Sequence, residues 1–515
     1  MPFRKPLTSL ALTLLSSALL ALAFPKANLF WLAWFALVPL LFVVLRSTLR
    51  AAVGFSFLCG FIFFLATLQW IHYVTTLGLI LLAAYLAVYF ALFGLGVRYF
   101  CGSTFAVRLA VLPAIWCVLE FIRDRLLTGF GWGALGHSQA SNILLIQIAD
   151  ITGVAGVSFL VAGFNVMVCE ILGSLEARSW KLEEFRAFIL QPLASSKFRP
   201  ALIYCLLLIM ALAYGSSRLY SRPEGQDLRI AIIQPNISLT DYWDPMKKAD
   251  TVRLNIRLSR ETLAFSPDLI VWPETAFPQF IWELPKLFEE VLSFQDASGV
   301  PLVVGAVTRK NEEYHNSALF LDRERGEIYS KMHLVLFGEY IPFRKELPFL
   351  ADIVPIDDFS PGREQALFPA IKGVNTGVLI CFEDTIPDLA RRLTQEGAGV
   401  LVNITNDAWF RDSAQPAMHL ENALFRAVEN RRPLVRSTNT GVSCMIDARG
   451  AVGPCVEGPD KGRVLVQGWA VGGVKPGTAT TFYTKFGDVF TFFLFIVILT
   501  LFSQKINRFG KSREG

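Results

Sequence analysis

The first 217 residues are dominated by apolar stretches close to the roughly 20 residues that carry a helix across a bilayer, and a further stretch of this kind lies at residues 485–503. So many long apolar runs exceed what the core of one soluble domain can bury, so the chain is expected to fold largely as membrane-spanning helices. The 53% hydrophobic and 18% charged composition averages two unlike regions. Residues 218–484 carry ordinary charge density and Gly/Pro punctuation, and at about 265 residues they can bury their own core. The expected organisation is a membrane domain of about seven spans at 1–217, an outward-facing domain at 218–484, and a last span with a basic tail at 485–515.

Spans are read at about 8–24, 28–45, 52–73, 78–98, 107–123, 151–173, 200–217 and 485–503. An even number of spans puts both termini on one side. Arg4 and Lys5, Arg46 and Arg50, Arg98 and Arg108, the loop with Arg178, Lys181, Arg186, Lys197 and Arg199, and the tail with Lys505, Arg508, Lys511 and Arg513 then all fall on that side. The positive-inside rule makes it cytoplasmic, so residues 218–484 face outward. Arg4, Lys5 and Ala21-Leu22-Ala23 also resemble a signal peptide with its cleavage site, but Pro25 and the next span follow at once, which favours a retained span.

The net charge of +5 is spread along the chain, mainly beside apolar spans, and does not point to nucleic acid. The eight cysteines include no Cys-x-x-Cys pair, so neither a zinc site nor a disulfide framework is expected. A bridge between Cys444 and Cys455 stays open for a domain in an oxidising compartment. Within 218–484, strands are read at 228–234, 269–272, 301–307, 317–322, 374–381, 399–403, 433–438, 443–447 and 463–468, and helices near 245–264, 284–297, 387–396 and 415–430. Such alternation predicts sheets covered by helices.

Glu274, Lys331 and Cys381 each stand where an apolar run stops: Leu269-Ile270-Val271-Trp272-Pro273-Glu274, Ile328-Tyr329-Ser330-Lys331 and Gly377-Val378-Leu379-Ile380-Cys381. Strand ends on one edge of a sheet commonly build a site. A thiol is only a few per cent thiolate at neutral pH and needs a base or a cation; Glu274 offers the first and Lys331 the second. Taken singly, the cysteine reads as core packing, the glutamate as a cap for a following helix, and the lysine as a solvated surface residue.

With Phe337-Gly338-Glu339-Tyr340-Ile341-Pro342 and Cys381-Phe382-Glu383 added, these segments resemble the nitrilase superfamily, whose members use a Glu, a Lys and a Cys. The wider pattern resembles one branch of it, the apolipoprotein N-acyltransferases. It includes Gln234-Pro235-Asn236, Trp243-Asp244-Pro245, Asn403-Ile404-Thr405-Asn406-Asp407-Ala408-Trp409-Phe410 and Arg436-Ser437-Thr438-Asn439-Thr440-Gly441.

The resemblance implies a multi-span α-helical membrane domain joined to an α/β nitrilase-like domain, an α-β-β-α sandwich. It implies Cys381 as nucleophile, Glu274 as general base and Lys331 as stabiliser of thiolate and oxyanion, with Glu339 orienting Lys331 or a substrate amine. Glu383, Trp243, Asn406 and Trp409 match further positions of the family pattern. Phe382 stands where many relatives have tyrosine, so packing is its expected role. The implied reaction moves an acyl chain from a phospholipid to a diacylglyceryl apolipoprotein, the last step of bacterial lipoprotein maturation, with the catalytic domain on the periplasmic side of the inner membrane. No metal or cofactor is implied. The alternative is a membrane-tethered amidase or nitrilase acting on a small C–N substrate.

Three further expectations concern the surroundings. Ala276 to Trp282 and Ile341 to Leu350 are apolar and Pro-broken, and are read as lids or membrane-dipping loops. Glu120, Arg123, Asp124 and Arg125 cluster at the outer end of a span, either on a headgroup phosphate or as an internal Glu–Arg pair, with Trp132 and His137 in the loop beyond. His333 and His419 are the candidates for a papain-like Cys–His pairing, and neither lies in a recognisable partner motif.

Overall fold

The computed structural model describes residues 6–177, 199–220, 226–280, 283–323, 325–341, 344 and 358–514. The chain divides into two units, Met1–Ser221 with Phe486–Gly515, and Arg222–Lys485.

Among the described residues of the first unit, six helices are long and apolar enough to cross a membrane: Leu49–Thr67, Thr76–Phe100, Phe105–Arg123, Val154–Ser174, Arg199–Tyr220 and Val489–Asn507. Their outer surfaces are apolar, as with Phe492, Phe493 and Ile496 on the last helix. Such surface is at home in lipid, and the protein is a multi-pass membrane protein. Two expected spans differ. The first is a shorter helix, Pro6–Leu22, which buries Ser9, Thr13, Ser16 and Ser17; the Ser17 hydroxyl donates to the Cys59 carbonyl at 3.2 Å. The second is broken into a turn at Phe30–Leu32 and helices Ala33–Ala36 and Val38–Arg46, because Pro39 opens the last of these and has no N–H to continue the preceding one.

The loop beyond Arg125 folds inward rather than lying at an interface. Trp132 and His137 are buried, and Trp132 packs on Trp70 with ring centroids 5.3 Å apart. Among the described residues no salt bridge joins Glu120 to Arg123. Glu120 accepts from Trp116 Nε1 at 2.7 Å, the Leu135 amide at 2.7 Å and the Ser158 hydroxyl at 2.6 Å. Arg123 lies 3.9 Å from Asp124, and Arg125 pairs with Asp488. The basic loop around residues 178–198 lies outside the described residues.

The second unit holds two sheets. In the first, β1 (Leu228–Gln234), β2 (Leu269–Val271) and β4 (Leu302–Lys310) run parallel, β5 (Glu313–Asp322) and β6 (Arg325–Ser330) continue antiparallel, β13 (Gly468–Val474) flanks β1, and β3 (Phe277–Phe280) pairs with β4. In the second, β8 (Val374–Ile380), β9 (Ala398–Thr405) and β10 (Leu434–Thr438) run parallel, flanked by antiparallel β7 (Leu367–Ile371) and by β11 (Cys444–Ile446) with β12 (Val452–Cys455).

Continuous Val/Ile/Leu runs mark strands buried on both faces. One face of each sheet meets the other in a shared core that includes Ile230, Val271, Phe320, Tyr329, Val378, Ile380, Val402 and Val435. The outer face of the first sheet is covered by helices Lys248–Thr262 and Pro285–Ser298 through Ile256, Val291 and Phe294, and that of the second by helices Pro387–Gln395 and Gln415–Asn430. The result is an α-β-β-α sandwich. The Ser437 hydroxyl stitches the sheets together from β10, reaching the carbonyl oxygens of Ile233 at 2.9 Å and Val271 at 3.0 Å.

Several local readings are corrected. Of residues 463–468, expected as a strand, 463–467 form a loop leading into β13 and only Gly468 belongs to it, with Leu465 at φ 58° and its amide donating to the Thr440 carbonyl. Ala276, Phe277 and Pro278 are buried, and Phe277 packs edge-on against Phe288, so this stretch builds β3 and core rather than a lid. Ile281 and Trp282 lie outside the described residues, as do residues 342, 343 and 345–350; Ile341 is buried. Cys444 and Cys455 face each other in register across β11 and β12 as free thiols.

Candidate functional site

Strand direction gathers the three chemical residues. β6 runs antiparallel to β5, and β5 to β4, so β6 ends on the same edge as the parallel strands β2 and β4. Lys331 follows β6 directly, Glu274 follows β2 across the Trp272-Pro273 turn, and Cys381 follows β8 of the facing sheet.

Lys331 is 1% exposed, so it is not a solvated lysine. Its Nζ lies 2.8 Å from Glu339 and 3.7 Å from Glu274. Asn316, on β5, donates its amide at 2.7 Å to each of these carboxylates, and Glu339 also accepts the Val335 amide at 2.8 Å. Two carboxylates and one cation therefore share a buried cage. Burial raises Glu274 above the usual carboxylate range, with the Lys331 charge opposing it. Burial also works against the Lys331 charge, but Glu339 and Glu274 outweigh it and hold the ammonium well above its ordinary value. Glu274 caps no helix, since β3 follows it. The close fit of its turn against β4 depends on Gly305, where a Cβ would stand 2.3 Å from the Pro273 carbonyl oxygen and 2.6 Å from Glu274 Cα.

The Cys381 thiol is enclosed beside the Glu274 carboxyl, close enough for the two groups and Lys331 to act on one another electrostatically. Burial, and then the Glu274 charge, push the thiol up, and Lys331 pulls it down. The backbone at Cys381 is left-handed, φ 52°, a conformation that costs an L-residue about 1–2 kcal/mol and turns the side chain out of the strand. Its carbonyl is held by the Asn403 side-chain amide at 3.0 Å.

Glu383, fully buried, binds this turn to the lysine segment. It accepts from the Ile380 amide at 2.8 Å, the Met332 amide at 2.7 Å, the His333 amide at 3.1 Å and the Tyr329 hydroxyl at 2.8 Å. Phe382 is half-buried and stacks on His333, a packing role, with ring centroids 6.0 Å apart. Beside Glu274 a small pocket is lined by Tyr242, Thr275, Asn406 and Asn439 among others. Asn439 donates to Asn406 at 3.0 Å, and Asn406 to Thr275 at 3.3 Å. Trp409 is exposed, and the Trp243 side chain lies outside the described residues. Among the described residues no group of three or more His, Cys, Asp or Glu side chains is disposed to hold a metal.

Asn316 and Gly305 were not anticipated: each sits inside a strand with no motif, and its role exists only across the sheet. His419 meets the Cys381 carbonyl oxygen, at 3.3 Å, together with Asp384 and Asp407. A buried Asp-His-Asp arrangement has no sequence spacing that would have announced it.

Residues 16–167 match the apolipoprotein N-acyltransferase N-terminal domain, and residues 229–460 match the carbon-nitrogen hydrolase family. The chain is 38% identical to an apolipoprotein N-acyltransferase of Geobacter metallireducens, over 93% of this chain and 92% of that one. It is 33% identical to one of Methylococcus capsulatus, over 79% and 76% of the two chains. Among solved structures, an amidase from Nesterenkonia sp. aligns with 52% of this chain and 95% of its own, at 17% identity and a TM-score of 0.38.

Proposed function

The chain belongs to the apolipoprotein N-acyltransferase family, and from that premise we propose that it moves a fatty acyl chain from a phospholipid, through a thioester on Cys381, to the α-amino group of a diacylglyceryl apolipoprotein. It is an acyltransferase of the last step of lipoprotein maturation. The observation that carries the mechanism is the buried cage in which one lysine stands against two carboxylates, one of which, Glu274, lies beside the Cys381 thiol.

Glu274 takes the Sγ proton as the sulfur attacks the ester carbonyl. Lys331 and backbone amides stabilise the oxyanion of the tetrahedral intermediate. Collapse breaks the C–O bond, the alkoxide takes the proton from Glu274 and leaves as lysophospholipid, and a thioester remains. The neutral α-amine then attacks, Glu274 takes its proton and passes it to the departing sulfur, and an amide has formed. Glu339 and Asn316 keep Lys331 and Glu274 in register throughout, and Asn406 borders the pocket beside Glu274.

Both substrates keep their acyl chains in the bilayer. Withdrawing a chain into water would cost about 0.8 kcal/mol per methylene, which is the physical reason for joining such chemistry to membrane spans. The distribution of Lys and Arg supports a bacterial inner-membrane location with residues 218–484 on the periplasmic side.

Incubation of the full-length protein with a defined phospholipid is expected to add one acyl mass to the peptide carrying Cys381, and a diacylglyceryl lipopeptide with a free amine is expected to discharge it as an amide. Release of free fatty acid regardless of acceptor, or no adduct on Cys381, would overturn the reading in favour of a hydrolase. Gly305→Ala is expected to lower turnover on the order of 10²-fold in folded protein, because the added methyl must displace the Glu274 turn. Unchanged turnover would show that Glu274 need not sit where it does.

A further inference from the structure

We propose that His419 is a positioning residue for Cys381, a buried imidazolium that holds the carbonyl of the strained cysteine turn and balances the carboxylates around it. The proposal rests on the reading of Cys381 as nucleophile. His419 projects from helix Gln415–Asn430 and is 1% exposed. Its Nε2 lies 2.8 Å from Asp384 Oδ1 and 3.3 Å from the Cys381 carbonyl oxygen, and its Nδ1 lies 3.1 Å from Asp407 Oδ1. The nearest partner of each ring nitrogen is thus a carboxylate oxygen, with the Gln415 amide nitrogen farther from Nδ1 at 3.4 Å and already donating to Asp407, and a neutral imidazole has a proton for only one of the two carboxylates.

The charges agree. Asp384 pairs with the fully buried Arg436, whose Nη2 is 3.9 Å from Asp407. Gln415 adds a 3.0 Å hydrogen bond to Asp407. Two carboxylates and one guanidinium leave one negative charge uncompensated away from water, and protonation of His419 removes it. Burial disfavours the charged ring, yet Asp384 and Asp407 hold it up at about 9. On the neighbouring helix Pro387–Gln395, Asp388 and Arg391 pair with each other at 2.9 Å.

The consequence falls on the thiol. Asp407 opposes thiolate formation at Cys381, beside the larger effect of Glu274 and against that of Lys331. The imidazolium stands against Asp407 and masks its charge. The same ring shares the Cys381 carbonyl with Asn403, and so fixes the left-handed turn that aims the sulfur. His419 touches no reacting atom; it acts through Cys381.

The test is the pH dependence of Cys381 alkylation by iodoacetamide in the full-length protein in nanodiscs, read by peptide mass, alongside acylation by phospholipid. His419→Gln is expected to raise the alkylation midpoint by about one pH unit, the scale of a neighbouring charge, and to slow acylation about tenfold at unchanged KM. Asp407→Asn, nearly isosteric, is expected to move the midpoint the other way. Damage to the fold would not give shifts of opposite sign. Midpoints that stay put, or that move together, overturn the proposal, and if His419→Gln fails to fold, an unmoved midpoint in Asp407→Asn does so alone. Alkylation needs no acyl transfer, so failure of wild-type protein to load phospholipid would instead sink the functional reading.

Discussion

Replacing Lys331 by methionine is expected to slow acylation of Cys381 by about 10²–10³-fold, the scale of removing one oxyanion-stabilising group from an enclosed site. Two losses coincide. The ammonium no longer meets the charge that develops on the ester oxygen, and Glu274 and Glu339 are left sharing Asn316 with no cation between them. Two buried carboxylates so arranged do not both stay ionised near neutral pH, so the base is partly protonated and the surviving rate shifts to higher pH. Arginine is no conservative substitute, because its planar fork does not fit a pocket that leaves lysine 1% exposed. Single-turnover acylation followed by intact mass across pH checks this. A Lys331→Met enzyme within about threefold of wild type would remove Lys331 from the mechanism, against the 10²-fold expected of such a donor.

Glu383→Ala is expected to lose activity and to lower the stability of the second unit. Ile380, Met332 and His333 amides and the Tyr329 hydroxyl all donate to this one buried carboxyl. Truncation leaves donors unsatisfied at about 1–3 kcal/mol each, on the order of 4 kcal/mol once neighbours relax. Glu383→Gln should do little better, since an amide nitrogen turned toward backbone N–H groups repels them. Burial raises Glu383 above the usual carboxylate range, opposed by the hydrogen bond from Ile380, so both the charge and the shape are held by these contacts. Because the carboxyl ties the Lys331 segment to the Cys381 turn, acylation should fall at temperatures where the variant is still folded. Thermal unfolding beside acylation kinetics separates the two effects. A midpoint unchanged from wild type would refute the clamp.

How much could be read in advance differed by residue. Glu274 and Cys381 were visible because each ends a run of apolar residues that forms a buried parallel strand, and Lys331 because Ile328 and Tyr329 precede it. Only the end of β6, the strand-like run Ile328-Tyr329-Ser330, was legible: it is an edge strand with Gly326, Glu327 and Ile328 exposed, so hydropathy does not mark its start. The stretch from Ala276 was misread because apolar residues next to proline look alike whether they form a lid or a short strand under a helix. Trp132 and His137 were placed in an outer loop because chain order says nothing of a loop that folds back.

Hydropathy and covalent order therefore determined the membrane helices, most of the strands and the candidates for catalysis, since those signals are local to a few turns of chain. Only the tertiary structure decided the rest. Lys331 is buried because two sheets stack over it, Gly305 matters because a turn lies on β4, and His419 stands between two carboxylates that are distant in the chain. Each of these is a relation between segments far apart in the chain, and burial is what gives it energetic weight.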